Sequence, residues 1–162
     1  MWRVFPGVGG ARARHALITV HDLHKAYGSK VVLGGVCVDF PRRQLTSLIG
    51  PNGPGKTTLL MSMARLLEPG RGEVRIDGRR VADIPIGDYA RQVATLRQSP
   101  DFNLRLTVED LVAFGRFPHS RGALNDTDRQ AIDAAIAFLA LQPLRQAYLD
   151  ELRGGQGQKA VL

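Results

Sequence analysis

Several features that define particular protein classes are scarce or missing in this chain of 162 residues. Its single cysteine, Cys37, can form no internal disulfide, which favours a reducing compartment. No apolar run approaches the roughly 18 residues that a membrane-spanning helix needs. No basic run is interleaved with aromatic residues, so nucleic-acid binding has little support. The four histidines show no metal-ligand spacing: His15, His21, His24 and His119. Metal-centred, disulfide-rich and membrane-spanning classes are therefore disfavoured.

The first sixteen residues differ in character from the rest. They carry three arginines and no acid, they are broken by glycines, and they lack the apolar centre of a signal peptide. We expect residues 1–16 to be a disordered basic extension, or an upstream start that is not used. This segment accounts for part of the net charge of +7 and leaves 19 basic against 15 acidic residues elsewhere. The remainder has the length and composition of one ordinary globular domain.

Residues 50–57 read Gly-Pro-Asn-Gly-Pro-Gly-Lys-Thr and fit the pattern G-x-x-x-x-G-K-[ST] at every fixed position. Glycines let a backbone pass close to a polyphosphate, and the following helix adds the positive end of its dipole. Lys56 supplies a mobile cation for the β- and γ-phosphates, and the Thr57 hydroxyl can complete a Mg²⁺ shell. We call residues 50–57 the phosphate-binding loop.

The flanks of this loop suit the pattern. Residues 44–49 form an apolar, β-prone run, and residues 58–67 place apolar side chains at helical spacing. Strand, glycine-rich loop and helix is the setting in which this pattern binds nucleotides. The sequence therefore predicts that the chain binds a nucleoside triphosphate.

Other segments predict a β-rich first half and a helical second half. Strands are expected at residues 17–20, 31–33, 36–40, 73–78 and 93–96, with Gly34-Gly35 as a break and Cys37 as a small buried hydrophobe. Residues 89–92 are expected to close a short helix. Thr107 to Asp110 resembles a capping box, and Asn125 or Asp126 can cap a later helix whose apolar residues share one face. These residues are 131, 132, 135, 136 and 139.

Four further features make the chain resemble the nucleotide-binding subunits of ABC transporters. Tyr27 stands where that family places a ring that stacks on adenine, and Gln98 matches the glutamine that approaches Mg²⁺ and the attacking water. Leu152-Arg153-Gly154-Gly155-Gln156 is similar to the signature L-S-G-G-Q, which closes on the ATP held by the opposite subunit. Residues 107–118 are similar to a stretch of the ATPases of iron–siderophore importers, and relatives that import vitamin B12 or haem share much of it. The resemblance covers about residues 17–162.

The resemblance implies an α/β fold with a P-loop NTPase core, an antiparallel β subdomain and a helical subdomain, with its C-terminal part missing. Residues 17–162 would be the N-terminal portion of such a domain, divided into a β-rich core at 17–100 and a helical subdomain at 101–155. It also implies catalytic roles for Lys56 and Gln98, Mg²⁺ contacts for Thr57 and Gln98, and the signature role for residues 152–156. The residues implied to bind ATP are Tyr27, Gly50, Pro51, Asn52, Gly53, Pro54, Gly55, Lys56, Thr57 and Thr58.

Three departures from the family pattern bear on activity. The sequence ends at Leu162, before the second acidic motif, the catalytic glutamate and the switch histidine of the family, so Mg²⁺ lacks an aspartate and the attacking water lacks its base. Arg153 replaces the serine that meets the γ-phosphate, and its bulk is expected to hinder dimer closure. Pro54 removes one N–H from the loop, which should weaken binding by roughly 1 kcal/mol. Gly157, where a basic residue is common, is a milder change.

Three functions remain open from the sequence. The first is an ATPase that energises import of ferric siderophores, acting as a homodimer with membrane permeases, and indirectly with a substrate-binding protein, at the cytoplasmic face of the membrane. The second is a non-catalytic ATP-binding fragment or truncated gene product that does not hydrolyse ATP. The third is a soluble ABC ATPase acting on nucleic acid, supported only by mild positive charge. In the first hypothesis the cofactors are ATP and Mg²⁺, and no nucleic acid takes part.

Overall fold

The computed structural model describes residues 3–5, 16–96, 105–120 and 122–152. The chain divides into two compact units, Met1–Tyr89 and Ala90–Leu162. The predicted division at residue 100 stays a prediction, since the neighbouring residues 97–104 lie outside the described ranges. No helix in the described part of the chain is long and apolar enough to cross a bilayer.

The first unit is built on a four-stranded antiparallel sheet. Its strands are β2 (Ala16–Tyr27), β3 (Lys30–Pro41), β5 (Arg71–Ile76) and β6 (Arg79–Arg80). They lie in the order β3-β2-β5-β6. A two-residue turn joins β2 to β3, with Gly28 at a φ of +58° that favours glycine. This hairpin sets Tyr27 directly opposite Lys30.

The predicted break at Gly34-Gly35 is wrong, because β3 runs through both glycines as one strand. The irregularity is instead a bulge: Leu33 pairs with Lys25, whereas Val36 pairs with Leu23. Cys37 is exposed, contrary to the expectation of burial, since side chains alternate along a strand and its neighbours take the more buried side.

Strand β4 (Ser47–Ile49) leads into helix α1 (Pro54–Met63). It pairs antiparallel with β1 (Arg3–Phe5), so the expectation of disorder is wrong for these three residues. The exposed edge of β4 offers N–H and C=O groups that a short strand can satisfy, which explains the pairing. Residues 1–2 and 6–15 lie outside the described ranges.

Helix α1 ends earlier than the apolar spacing predicted. Ala64 caps it and Arg65 takes a φ of +60°, so Leu66 lies beyond the helix and is largely exposed. The Arg65 guanidinium donates to the carbonyls of Ile84 and Ala82, which fixes this turn. A 3-10 turn (Val81–Asp83) and helix α2 (Ile86–Ala90) follow β6, and the buried Tyr89 hydroxyl donates to the Met63 carbonyl.

The second unit is helical, as predicted. It contains α3 (Val108–Phe114), α4 (Phe117–Ser120) and α5 (Asp126–Phe138), followed by 3-10 turns at Gln142–Leu144 and Leu149–Glu151. Among the described residues of this unit, a core cluster is formed by Val108, Ile132, Ile136 and Leu141. The predicted strand at residues 93–96 is wrong: these residues have no regular structure and Leu96 is 49% exposed. No described strand pairs with them, and β-prone residues alone do not make a ladder.

Helices α3 and α5 both begin with capping boxes. The Thr107 side chain accepts from the Asp110 amide, and the Asp110 carboxylate accepts from Thr107. Asn125 and Asp128 repeat the arrangement at α5. These two predicted helix starts are confirmed, and each box satisfies the amides of its N-cap and of its third helical residue.

Candidate functional site

The phosphate-binding loop joins the end of β4 to the start of α1. Gly53 is the N-cap, with an extended φ of 168°, and Pro54 occupies the first helical position. Proline suits this position because its fixed φ matches a helix and its missing N–H has no intrahelical partner to lose. The β-prone run before the loop and the helix after it therefore position the loop as the sequence pattern predicted.

The start of α1 lacks the groups that close other helix starts. No side chain caps it, and its first turn contains no acidic residue. The first amides of any α-helix have no partner within the helix. Since Pro54 has no N–H, the donors left here are the amides of Gly53, Gly55 and Lys56. Together with the helix dipole they form a site that favours an anion.

The ammonium of Lys56 is held by the loop itself. It donates to the carbonyl of Gly50 at 2.9 Å and to that of Pro51 at 2.5 Å. These two bonds curve the loop around its own cation. A bound phosphate would give the ammonium an anionic partner in place of neutral carbonyls.

A cavity of about 170 Å³ lies beside the loop. It is lined by two groups of residues, one from the start of β3 and one from the loop: Lys30, Val31 and Val32, and Pro51, Asn52, Gly53, Gly55 and Lys56. The lining contains two lysines and no acidic side chain. Its charge therefore complements a polyphosphate.

Tyr27 lies at the end of β2, opposite the cavity-lining Lys30. Its side chain is 51% exposed, so much of the ring is open to solvent. The Lys25 ammonium lies 5.7 Å from the ring centroid and donates to the Glu68 carbonyl at 2.7 Å. An exposed ring next to the cavity can stack on a base.

The threonines after Lys56 differ in environment. Thr57 is exposed, whereas Thr58 is 4% exposed and its carbonyl accepts from the Ser62 hydroxyl at 2.8 Å. Neither lines the cavity, and neither do Tyr27 and Gly50. No group of three or more His, Cys, Asp or Glu side chains suited to a metal occurs among the described residues.

The remaining predicted site residues are Gln98 and residues 152–156. Gln98 and the signature residues 153–156 fall outside the described ranges, so their roles remain predictions. Leu152 is half-buried and packs against the core of the second unit. In the described structure its side chain has a packing role.

Lys30 is the charged residue among the three cavity-lining residues that sequence reasoning missed, Lys30, Val31 and Val32. A signal for it existed: a Gly-Ser pair between two β-prone runs predicts a tight hairpin, and a tight hairpin places Tyr27 opposite Lys30. Recognition of Tyr27 as a base-stacking candidate therefore implied Lys30 as its neighbour.

The chain is similar to known proteins of one family. The model of the family described as "ABC transporter" matches residues 33–162. Among curated relatives, the petrobactin import ATP-binding protein YclP of Bacillus subtilis (strain 168) is 41% identical over 146 residues, which cover 90% of this chain and 58% of the relative. The petrobactin import ATP-binding protein FatE of Bacillus anthracis is 42% identical with the same coverages. The chain thus spans 58% of the length of these two relatives.

Solved structures give the same fold. Among those that match is cbiO1 from Clostridium perfringens, part of the ABC transporter complex cbiONQ, with a TM-score of 0.71 at 21% sequence identity. The match covers 91% of this chain and 60% of that chain. At this identity the likeness establishes the fold, which is that of an ABC-type ATPase with an antiparallel sheet and helices. Taken with the family match over residues 33–162, it shows that the chain belongs to the ABC transporter family.

Proposed function

We propose that this chain provides the ATP-binding part of an ATPase that energises ABC-type import of ferric siderophores. The observation that carries the proposal is the start of α1: an uncapped, acid-free helix N-terminus behind a glycine loop, beside a cavity with two lysines. The names of the relatives support transport in the direction of import, since YclP and FatE are petrobactin import ATP-binding proteins.

Binding would use groups that are already in place. The amides of Gly53, Gly55 and Lys56 would hold the β- and γ-phosphates, and the Lys56 ammonium would leave the Gly50 and Pro51 carbonyls for them. Tyr27 would stack on the adenine.

Mg²⁺, when bound, supplies charge neutralisation between the β- and γ-phosphates. On this chain the Thr57 hydroxyl would hold it, and Gln98 would approach it from the segment at residues 97–100. Hydrolysis needs in addition a carboxylate that orients the attacking water, a group that the family supplies from its second acidic motif.

Assembly belongs to the proposal as well. Two copies would sandwich two ATP molecules, each between one copy's loop and the other copy's residues 152–156. Closure would act on a pair of membrane permease subunits, which places the protein at the cytoplasmic face of the membrane and links it indirectly to a substrate-binding protein.

The test is binding of a fluorescent ATP analogue to the chain and to a full-length version. Lys56→Ala should abolish binding, because it removes the loop's cation. Arg79→Ala is the matched control: it removes an exposed cation of the same unit that does not line the cavity, and it should bind as the parent does. Equal affinity of Lys56→Ala and the parent would end the assignment.

Phosphate release separates the ATPase from the non-catalytic alternative. Mg²⁺-dependent turnover that is lost in Lys56→Ala supports the ATPase. ATP binding with turnover no faster than buffer supports a nucleotide-binding protein that does not hydrolyse.

A further inference from the structure

The hairpin between β2 and β3 carries two lysines whose ammonium groups differ in their hydrogen bonding. Lys25 is engaged, since its ammonium donates to the Glu68 carbonyl at 2.7 Å. Lys30 is exposed, lines the cavity beside the loop and, within the described part of the chain, forms no ion pair or side-chain hydrogen bond. At the wall of a cavity that also contains Lys56, the Lys30 ammonium adds to the local positive potential and favours an anionic ligand.

The position of Lys30 relates it to one part of a nucleotide. It faces Tyr27 across the hairpin, and Tyr27 is the proposed base-stacking ring. Lys56 and the start of α1 contribute the loop-derived part of the lining of the same cavity. A nucleotide that runs from Tyr27 to Lys56 passes base, ribose, α-phosphate and then β- and γ-phosphates in that order. The cation nearest the base end therefore meets the α-phosphate first.

We propose that Lys30 is a nucleotide-binding residue that pairs with the α-phosphate, while Lys56 pairs with the β- and γ-phosphates. The inference rests on the proposed function, because it uses the same cavity and the same ligand. It adds a second cation that the sequence pattern does not contain. Since the α-phosphate is common to ATP and ADP, Lys30 strengthens the binding of both and does not discriminate between them.

The experiment is isothermal titration calorimetry of the chain with Mg²⁺ and either ATP or ADP. Lys30→Gln should weaken both nucleotides by the same factor, about fivefold, as expected for an exposed ion pair. Lys30→Arg should restore both affinities, because it keeps the charge. Arg79→Gln is the control for a general loss of positive charge and should leave both affinities unchanged. Because Lys30 lies at an exposed hairpin position, circular dichroism should show the parent's fold in all three variants.

The outcomes separate this inference from the proposed function. If Lys30→Gln binds both nucleotides as the parent does while Lys56→Ala does not bind, the inference is overturned and the proposed function stands. If Lys30→Gln weakens ATP but not ADP, the contact is with the γ-phosphate and the assignment to the α-phosphate is overturned. If neither Lys30→Gln nor Lys56→Ala changes binding, both proposals fall.

Discussion

Helices α1 and α5 begin in opposite ways. Helix α5 starts at Asn125 with a complete capping box and two acids in its first turn, so its own side chains satisfy the amides of Asn125 and Asp128. Helix α1 starts at Gly53 with no side-chain cap and no acid. Both kinds of start occur in one chain, and α3 follows the closed pattern. The difference shows that the uncapped start of α1 is a local feature of this helix and not a general property of the sequence, as the proposed phosphate site requires.

The largest expected effect comes from giving α1 a side chain that caps its N-terminus, as α5 has. Gly53→Asp places a carboxylate at the N-cap, where the backbone is extended and an added Cβ meets nothing within 4 Å. The carboxylate would bind the first amides and repel phosphate, so ATP affinity should fall at least about 100-fold, whereas stability should rise by about a few tenths of a kcal/mol.

Gly53→Asn is the matched control for Gly53→Asp, because it has the same shape and capping ability without the charge. It should lose less affinity than Gly53→Asp, measured by calorimetry with ATP and Mg²⁺. ATP affinity equal to the parent's in both variants would mean that the start of α1 is not the phosphate site.

The second effect concerns the stability of the second, helical unit. Ile136 is 1% exposed in its core, so Ile136→Ala should lower the free energy of unfolding by about 2–5 kcal/mol through lost burial and a cavity. Phe138, on the same helix, is 89% exposed, and Phe138→Ala should change it by about 0.5 kcal/mol or less. Urea unfolding followed by circular dichroism measures both. A similar cost for the two substitutions would show that α5 does not bury Ile136 as described.

A third, smaller effect is expected from adding a backbone donor to the start of α1. Pro54→Ala restores an N–H in the first turn, so ATP should bind about fivefold more tightly, which corresponds to about 1 kcal/mol. Pro85 directly precedes α2 and does not line the cavity, so Pro85→Ala is the control and should leave affinity unchanged. Weaker ATP binding by Pro54→Ala would indicate that the proline shapes the loop more than its missing donor weakens it.

The smallest effect is present at neutral pH and is lost in acid. The backbone hydrogen bond from Asn125, and then the Arg116 guanidinium, hold the pKa of Asp128 below its usual value of 3.8. A lowered pKa means that the carboxylate contributes stability above pH ~4, which is lost as the pH falls through its folded value. Asp128→Asn should therefore be less stable than the parent at neutral pH, with a gap that narrows in acid. Urea unfolding at neutral and at acid pH measures the difference in free energy of unfolding between parent and variant. A difference that stays the same at both would contradict this linkage.

Local signals made the second unit predictable. Capping boxes at Thr107 and Asn125, and the apolar spacing of α5, depend on residues within one or two turns, and the structure confirms both helix starts. The strand predicted at residues 93–96 failed for the complementary reason. A strand exists only when another strand pairs with it, and the local sequence contains no information about that partner.

The candidate site was predictable to the extent that it is contiguous. The pattern at residues 50–57 placed the loop and Lys56, although α1 begins at Pro54 and ends at Met63, four residues earlier at each end than the apolar spacing of residues 58–67 indicated. Lys30 was not predicted, because it reaches the cavity through pairing of β3 with β2. Neither did the pattern reveal that the Gly50 and Pro51 carbonyls hold the Lys56 ammonium.

The most direct test follows the backbone amides by two-dimensional NMR while tripolyphosphate is added. This probe has phosphates but no base or ribose, so it reports on the helix start alone. The amides of Gly53, Gly55 and Lys56 should shift together and saturate, whereas the first-turn amides of α3 and α5 should not move. If the first-turn amides of all three helices shift alike, or those of α1 remain still, the start of α1 is not a phosphate site.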